Sequence, residues 1–266
     1  MSLKIVFMGT PEFSLPTLEA LIENKFNVVS VYTQPPTKSK RGQKINVSPI
    51  EEFSKKNKIN FKNPINLNSD EELKIFKELS PDIVVVVAYG QIISKNFLNI
   101  AKFGFINIHA SLLPKWRGAA PIQRAIMNGD KKIGVSIMKI EEKLDSGPVL
   151  ASKEIELGQN ATHGEIEKTL SVMGANLLVE NLKRLERGNS KFIGQVHSEA
   201  TYAKKIDKDE TKINWSLDAT KVLAHIHGLS SIPGAWFEYE NERFKVLRAK
   251  ISTANGKSSC VLDENL

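Results

Sequence analysis

The stretch Asp82-Ile83-Val84-Val85-Val86-Val87-Ala88 decides the fold class of this 266-residue chain. An aliphatic run without polar alternation is typical of a strand that is covered on both faces. Shorter apolar segments predict further strands at 4–8, 27–33, 105–109, 133–140 and 147–155. Amphipathic patterns predict helices from Ser14 onward and at 49–56, 70–79, 119–128 and 162–187. This alternation predicts an α/β fold, a Rossmann-like and mostly parallel sheet with helices on both faces.

The pattern changes after the last of these helices. Residues 1–188 form the predicted α/β domain, and the polar segment 189–206 is interpreted as a linker. Within 207–266, a helix is predicted at 217–227 and an antiparallel strand pair at 236–240 and 244–247. The sequence therefore predicts a small second domain of β type, whose aromatic residues Trp215, Trp236, Phe237 and Tyr239 are expected in its core.

The composition is that of an ordinary globular protein, with 41% hydrophobic and 25% charged residues. No apolar stretch approaches the roughly 20 residues that span a bilayer, and the short apolar N-terminus is not expected to be a signal peptide. A cytoplasmic location and no membrane partner are therefore expected. The single cysteine excludes a disulfide framework. No metal site is expected, since His225 and His227 lie two apart on a predicted helix and face different ways.

The net charge of +7 comes entirely from residues before 205, because 205–266 hold nine basic and nine acidic residues. The densest cluster is Lys38, Lys40, Arg41 and Lys44, within a long predicted loop at 34–47. Loops of this length are usually functional or disordered. Cations on such a loop can neutralise nucleic-acid phosphates, although a solvated loop without a partner would have the same composition.

Polar residues that could do chemistry are predicted at strand ends. Asn107 and His109 lie two apart on one strand, so their side chains point to the same side. Asp145 follows the next strand, and parallel sheets bind ligands at the carboxyl ends of their strands. An Asn amide can stabilise an oxyanion, His can donate to it or shuttle a proton, and Asp can orient His and accept a proton. Taken singly, Asn107 is equally compatible with a turn and Asp145 with a loop cap.

The segment from Asn107 to Gly118, Asn-Ile-His-Ala-Ser-Leu-Leu-Pro-Lys-Trp-Arg-Gly, resembles the signature of folate-dependent formyltransferases. Asp145, in Asp-Ser-Gly-Pro, is similar to the third catalytic residue of that family. Segments 9–14 and 87–91 resemble those that line its folate pocket. The resemblance runs in order from residue 3 to about 250.

The resemblance implies direct transfer of a formyl group from 10-formyltetrahydrofolate, as co-substrate, to an amine, with no covalent enzyme intermediate and no metal. It implies catalytic roles for Asn107, His109 and Asp145. It also implies folate contacts for the backbone near Asp145. Side chains expected to contact the folate are those of Phe13, Tyr89, Gln91, Ser111, Leu112, Leu113 and Pro114.

Segment 118–126, with Ala-Ala-Pro at 119–121, is similar to the branch that formylates methionyl-initiator tRNA for translation initiation. In that branch a basic insertion lies against the acceptor stem, which implies tRNA contacts for Lys38, Lys40, Arg41 and Lys44. Segments 209–216 and 233–237 resemble its C-terminal barrel, an oligonucleotide-binding (OB)-like fold. Residues 207–266 are shorter than that barrel, so an incomplete barrel is expected, as is a monomer.

Three alternatives remain at this stage. The acceptor could be an amino sugar or other small amine, although that branch usually carries Gly-Arg-Ala-Pro where this chain has Gly-Ala-Ala-Pro. A non-catalytic tRNA-binding relative would not need Asn107, His109 and Asp145 together. Hydrolysis of formyl-folate to formate uses similar residues. A dinucleotide-binding enzyme is disfavoured because the Gly-x-Gly-x-x-Gly pattern is absent, and a serine hydrolase because Ser111 lacks the Gly-x-Ser-x-Gly elbow.

Overall fold

The structure, a computed structural model, describes residues 2–38, 45–254 and 256–260. The strands in these ranges are β1 (Lys4–Gly9), β2 (Asn27–Tyr32), β3 (Thr37–Lys38), β4 (Ile45–Asn46), β5 (Phe61–Lys62), β6 (Ile83–Val87), β7 (Phe105–His109), β8 (Arg117–Gly118), β9 (Lys132–Lys139), β10 (Val149–Glu156), β11 (Tyr202–Ala203), β12 (Ala235–Tyr239) and β13 (Glu242–Val246). The α-helices are α1 (Leu15–Glu23), α2 (Pro49–Lys56), α3 (Asp70–Leu79), α4 (Lys95–Leu98), α5 (Pro121–Asn128), α6 (His163–Glu186) and α7 (Ala219–Leu229).

Seven of these strands form one sheet in the order β10-β9-β7-β6-β1-β2-β5. The five strands from β7 to β5 in that order are mutually parallel. At the other edge, β9 is antiparallel to β7 and β10 is antiparallel to β9. The prediction of a mostly parallel α/β sheet is confirmed. The apolar run at 82–88 forms β6, a central strand whose five residues are all buried.

Helices cover both faces of the sheet. The side chains of Val85 and Val87 pack into one core cluster with residues of α1 and α6. Val84 and Val86 point to the opposite face, where they join Phe76 of α3 in a second cluster. Because β6 contributes alternate residues to two cores, every position of the strand must be apolar, which explains its uninterrupted aliphatic sequence. Each fully buried Val stabilises the fold by about 1.5 kcal/mol or more.

The predicted loop at 34–47 contains two short strands. Thr37 pairs with Asn46 and Lys38 with Ile45 in an antiparallel ladder. Of the predicted tRNA-contacting residues, Lys40, Arg41 and Lys44 lie outside the described residues, and only the backbone of Lys38 is described. In sequence, Lys40, Arg41 and Lys44 thus fall between two strands that pair with each other.

The segment 189–206, interpreted from its polar composition as a linker, lies against the α/β domain. Its strand β11 pairs with β8, and Ile193 forms a bridge with Val149 of β10. These contacts use backbone hydrogen bonds and polar side chains, so they leave no apolar periodicity in the sequence from which they could be predicted.

The C-terminal part packs around α7 and the hairpin β12–β13. Ile213, Ile226, Leu229 and Ala235 form its buried cluster, against which Phe237 packs. The expectation that all four aromatic residues are core is wrong for Trp215 and Tyr239, which are 37% and 56% exposed. The Trp236 ring lies 3.5 Å from the Arg243 guanidinium carbon. The OB-like barrel remains a prediction.

No helix within the described ranges is both long and apolar enough to cross a membrane.

Candidate active site

The strand β7 places Asn107 and His109 on the face of the sheet opposite the main core. Ile106 and Ile108 pack into that core, and the alternation of the strand directs the intervening side chains to the other face. His109, the last residue of β7, is buried, while Asn107 is half-buried.

The two ring nitrogens of His109 have different partners. Nε2 lies 2.9 Å from the backbone carbonyl oxygen of Trp116. Because a carbonyl oxygen only accepts hydrogen bonds, Nε2 carries a proton. Nδ1 lies 3.8 Å from Oδ2 of Asp145. The nitrogen that can change its protonation without breaking a hydrogen bond is therefore Nδ1, on the Asp145 side.

The peptide that carries the Trp116 carbonyl is held through its N–H, since the Arg117 amide donates to the carbonyl of Thr201 at 2.9 Å, and two further hydrogen bonds hold Trp116 itself. The Trp116 amide donates to Oγ1 of Thr201 at 2.9 Å, and the indole Nε1 donates to Oδ2 of Asp130 at 2.7 Å. The residue has a φ of +59°, which is rare for a bulky side chain. These contacts orient the carbonyl, and the carbonyl in turn determines the tautomer of His109.

Asp145 joins the loops that follow β7 and β9. Its Oδ2 accepts the amide N–H of Gly118 at 2.7 Å, and its own φ is +45°. Gly118 has a φ of +119°, and a Cβ at this position would lie 2.7 Å from the carbonyl oxygen of Ala203. Glycine is therefore required here both by the backbone conformation and by the close approach of β11.

A cavity of about 1000 Å³ borders the Asp145 loop. Its apolar wall includes Leu98, Ala101, Ile140 and Leu144, and its polar wall includes Arg117, Lys139, Lys143 and Ser146. None of these residues was predicted as a site residue. The apolar ones come from two segments far apart in sequence, near 100 and near 142. The signal in the sequence that could have identified this wall was the position of Leu144 and Ser146 next to Asp145.

Several of the residues predicted to contact folate have structural partners. Tyr89 is buried in the second core cluster, and burial raises the pKa of its hydroxyl. The Gln91 amide donates to the carbonyl of Pro64 at 2.9 Å and accepts the amide of Leu67 at 2.8 Å. Phe13 packs against the main core. The structure does not place these three residues in the wall of the large cavity.

The segment 111–114 is held in a similar way. The Ser111 hydroxyl donates to the Lys115 carbonyl at 2.6 Å, and the Leu113 amide donates to Oγ of Ser136 at 3.1 Å. Leu112 borders a separate cavity of about 370 Å³, and the Pro114 carbonyl accepts the amide of Thr201. This segment shapes the loop between His109 and Trp116, and its folate contacts remain predictions.

Within the part of the chain that the structure describes, no three His, Cys, Asp or Glu side chains are grouped so as to hold a metal ion.

Comparison with known proteins shows the family of this chain. Residues 3–182 match the formyl transferase family model, and residues 205–262 match the model of the formyl transferase C-terminal domain. The chain is 47% identical over 267 residues to a protein named methionyl-tRNA formyltransferase from Pelagibacter ubique, covering all of this chain and 86% of that protein.

Two solved structures share the fold. A methionyl-tRNA formyltransferase from Clostridium thermocellum is 19% identical, with a TM-score of 0.68 and 96% of each chain covered. An N-formyltransferase from Helicobacter canadensis, in complex with folinic acid and dTDP-3-aminofucose, is 18% identical, with a TM-score of 0.73 and coverage of 95% of this chain and 89% of that one.

Proposed function

Because this chain belongs to the methionyl-tRNA formyltransferase family, we propose that it transfers the formyl group of 10-formyltetrahydrofolate to the α-amino group of methionyl-tRNA. The product is formylmethionyl-tRNA, which serves translation initiation. The observation that carries the proposal is the His109–Asp145 pair, in which Nδ1 and Oδ2 lie 3.8 Å apart while Nε2 is bound to Trp116.

The proposed reaction begins with attack of the amine nitrogen on the formyl carbon. The new C–N bond pushes the formyl electron pair onto oxygen, and the Asn107 amide donates a hydrogen bond to this oxyanion. Nδ1 of His109 accepts the proton that the amine loses, and the Asp145 carboxylate stabilises the resulting imidazolium.

Collapse of the tetrahedral intermediate completes the transfer. The C–N10 bond to the folate breaks, and Nδ1–H returns its proton to the departing nitrogen. The tetrahydrofolate therefore leaves as a neutral amine, and His109 regains its starting protonation. These steps need no covalent enzyme intermediate. They use only Nδ1 of His109, while Nε2–H remains hydrogen-bonded to the Trp116 carbonyl.

We assign the folate to the cavity beside Asp145. A folate ring needs an apolar surface together with a few polar groups, and the cavity wall provides both. Leu144 and Ser146, which flank Asp145 in sequence, both line this cavity. A formyl group carried by a folate in this position would lie close to the carboxylate.

We assign recognition of the tRNA to the basic cluster Lys38, Lys40, Arg41 and Lys44. The strands that flank this cluster, β3 and β4, follow β2, so they start from the carboxyl edge of the sheet that also carries the site. We further propose a cytoplasmic monomer with no membrane partner, and analytical ultracentrifugation of the purified protein would test the monomer.

The deciding experiment measures formyl transfer from 10-formyltetrahydrofolate to methionyl-tRNA, uncharged tRNA and a nucleotide-linked amino sugar. Transfer to methionyl-tRNA alone supports the proposal. Transfer to the amino sugar alone would identify a different acceptor, and release of formate without an acceptor would identify a hydrolase.

A further inference from the structure

A buried arginine lies behind the Asp145 loop. Arg117 is 4% exposed, and its hydrogen bonds go to an amide oxygen and an imidazole nitrogen instead of a carboxylate. Its Nε and Nη2 donate to Oε1 of Gln195 at 3.1 and 2.7 Å, and Nη2 also donates to Nδ1 of His197 at 3.0 Å. A buried guanidinium normally needs strong acceptors, and Gln195 provides one that receives two of its N–H groups.

The other end of the Gln195 amide reaches the catalytic loop. Nε2 donates to the carbonyl oxygen of Asp145 at 3.0 Å and to that of Gly147 at 2.7 Å. The orientation of this amide is unambiguous, because Arg117 offers only donors and the two carbonyls offer only acceptors. Gln195 therefore joins a buried cation on one side to two backbone carbonyls around Ser146 on the other.

Asp145 has a conformation that needs such support. Its φ of +45° is sparsely populated for residues other than glycine, and such conformations persist where the surroundings hold them. Gly118 holds its carboxylate from one side, and Gln195 holds its carbonyl from the other. Without the second contact the loop could rotate, and displacement of a catalytic group by about 1 Å can cost on the order of 100-fold in rate.

We propose that Gln195 is a positioning residue for formyl transfer, which holds Asp145 against His109 by its two N–H donors while Arg117 fixes the amide. This inference rests on the proposed function and assigns a role to the segment 189–206 in the active site. Gln195 itself is placed behind the loop, and its effect on the reaction passes through Asp145.

Two substitutions distinguish the contribution of the Gln195 amide oxygen from that of its N–H donors. Gln195→Glu keeps an acceptor for Arg117 but replaces both N–H donors with an oxygen that repels the carbonyls of Asp145 and Gly147. Gln195→Ala removes both ends. Ser198→Ala, at an exposed position of the same segment, is the matched control.

Steady-state formylation of methionyl-tRNA and thermal unfolding would be measured for the full chain. For Gln195→Glu we expect kcat to fall at least tenfold, KM for methionyl-tRNA to stay within about threefold, and Tm to stay within about 3 °C of the parent. Gln195→Ala should lose as much kcat and also melt earlier. A Gln195→Glu variant with kcat within twofold of the parent overturns the inference, since Gln195 would then only support Arg117.

A crystal structure of Gln195→Glu provides a readout that does not depend on activity. We expect the Asp145 carboxylate to have left the Gly118 amide, and an unchanged Asp145–Gly118 hydrogen bond overturns the inference. An inactive parent protein would contradict the proposed function alone, because the crystal structure still tests whether Gln195 positions Asp145.

Discussion

Nδ1 of His109 faces Oδ2 of Asp145 at 3.8 Å, while the other nitrogen of the ring is tied to a backbone carbonyl. The hydrogen bond of Nε2 thus orients the ring, while Nδ1 is left to accept and return a proton in the proposed reaction. The gap of 3.8 Å exceeds a hydrogen bond, so the two side chains must approach each other before Nδ1–H can donate to the carboxylate.

The first prediction concerns the charge of Asp145. In Asp145→Asn the amide oxygen can still accept the Gly118 N–H, so stability should change by less than about 1 kcal/mol. Loss of the charge should lower kcat about 100-fold or more, because the imidazolium of His109 loses its counter-charge. Single-turnover formylation would measure this effect.

Combination with His109→Ala tests whether the two residues act as one unit. The double variant should lose little more than the more damaged single variant, since either substitution already disables the pair. Multiplication of the two single losses would show that the residues act independently.

The second prediction concerns Asn107. Asn107→Ala should lower kcat on the order of 100-fold, through loss of the oxyanion donor, and leave KM for methionyl-tRNA nearly unchanged. Asn160→Ala, at an exposed position after β10, should match the parent. Near-normal kcat in Asn107→Ala would exclude its amide from the reaction.

Gly118→Ala is the subject of the third prediction. The added Cβ would lie 2.7 Å from the Ala203 carbonyl, at a φ of +119°. We expect a loss of about 1–3 kcal/mol in the free energy of unfolding, together with reduced kcat, because Gly118 also donates to Asp145. Urea unfolding would measure the first quantity. Gly158→Ala, where a Cβ meets no atom within 4 Å, should leave both values unchanged.

Our fourth prediction addresses the basic cluster. Replacement of Lys40, Arg41 and Lys44 by Ala should weaken methionyl-tRNA binding and lower its log–log salt slope by up to about 3, since three phosphate contacts are removed. Folate binding should be unaffected. Fluorescence titration at several salt concentrations would measure both.

A matched control removes the same charge elsewhere. Lys25, Lys56 and Lys58 are exposed and precede β2 and β5, at the opposite edge of the sheet from the site. Their replacement by Ala should change the salt slope little. Equal effects of the two triple variants would show that net charge alone governs binding.

The fifth prediction is a pH dependence at the junction between α5 and the C-terminal part. Glu210 accepts two hydrogen bonds from Arg124, at 2.6 and 2.9 Å, and this pairing lowers the pKa of Glu210 from 4.5 to about 2. A lowered pKa means that the folded state favours the carboxylate. The stabilisation is therefore complete above pH 4.5 and lost as the pH falls toward about 2.

Glu210→Gln should therefore reduce the free energy of unfolding by about 1 kcal/mol at pH 7, since the pair is partly exposed. The difference from the parent should shrink as the pH falls below about 4.5. Urea unfolding at several pH values would follow it, with Glu78→Gln on α3 as a control for one lost charge. A difference that stays constant down to pH 3 would contradict the assigned pKa.

Much of the α/β fold could be predicted because its signals act over short distances. The aliphatic run of β6 and the Ser48 and Ser69 caps of α2 and α3 are local features of the chain. The same holds for the capping box of Thr162 and Glu165 at the start of α6. Periodicity and capping act within a few residues, so one sequence is enough to detect them.

The candidate catalytic residues could also be selected from the sequence. Asn107 and His109 share one face of a strand by its period of two, and Asp145 follows a neighbouring strand. The sequence by itself thus placed Asn107 and His109 on one face, and the resemblance of its signature indicated Asp145 and the family. It did not show how Asp145 reaches His109, because β9 runs antiparallel to β7 and ends at the opposite end of that strand.

The tertiary structure decided how these side chains are used. Which nitrogen of His109 faces Asp145 depends on the Trp116 carbonyl, and the hydroxyl of Thr201, 85 residues away, accepts the amide N–H of Trp116. The support of Asp145 depends on Gln195, from a segment with no apolar pattern. Such hydrogen bonds join residues far apart in sequence through backbone groups that every residue possesses, so only the folded chain selects which of them meet.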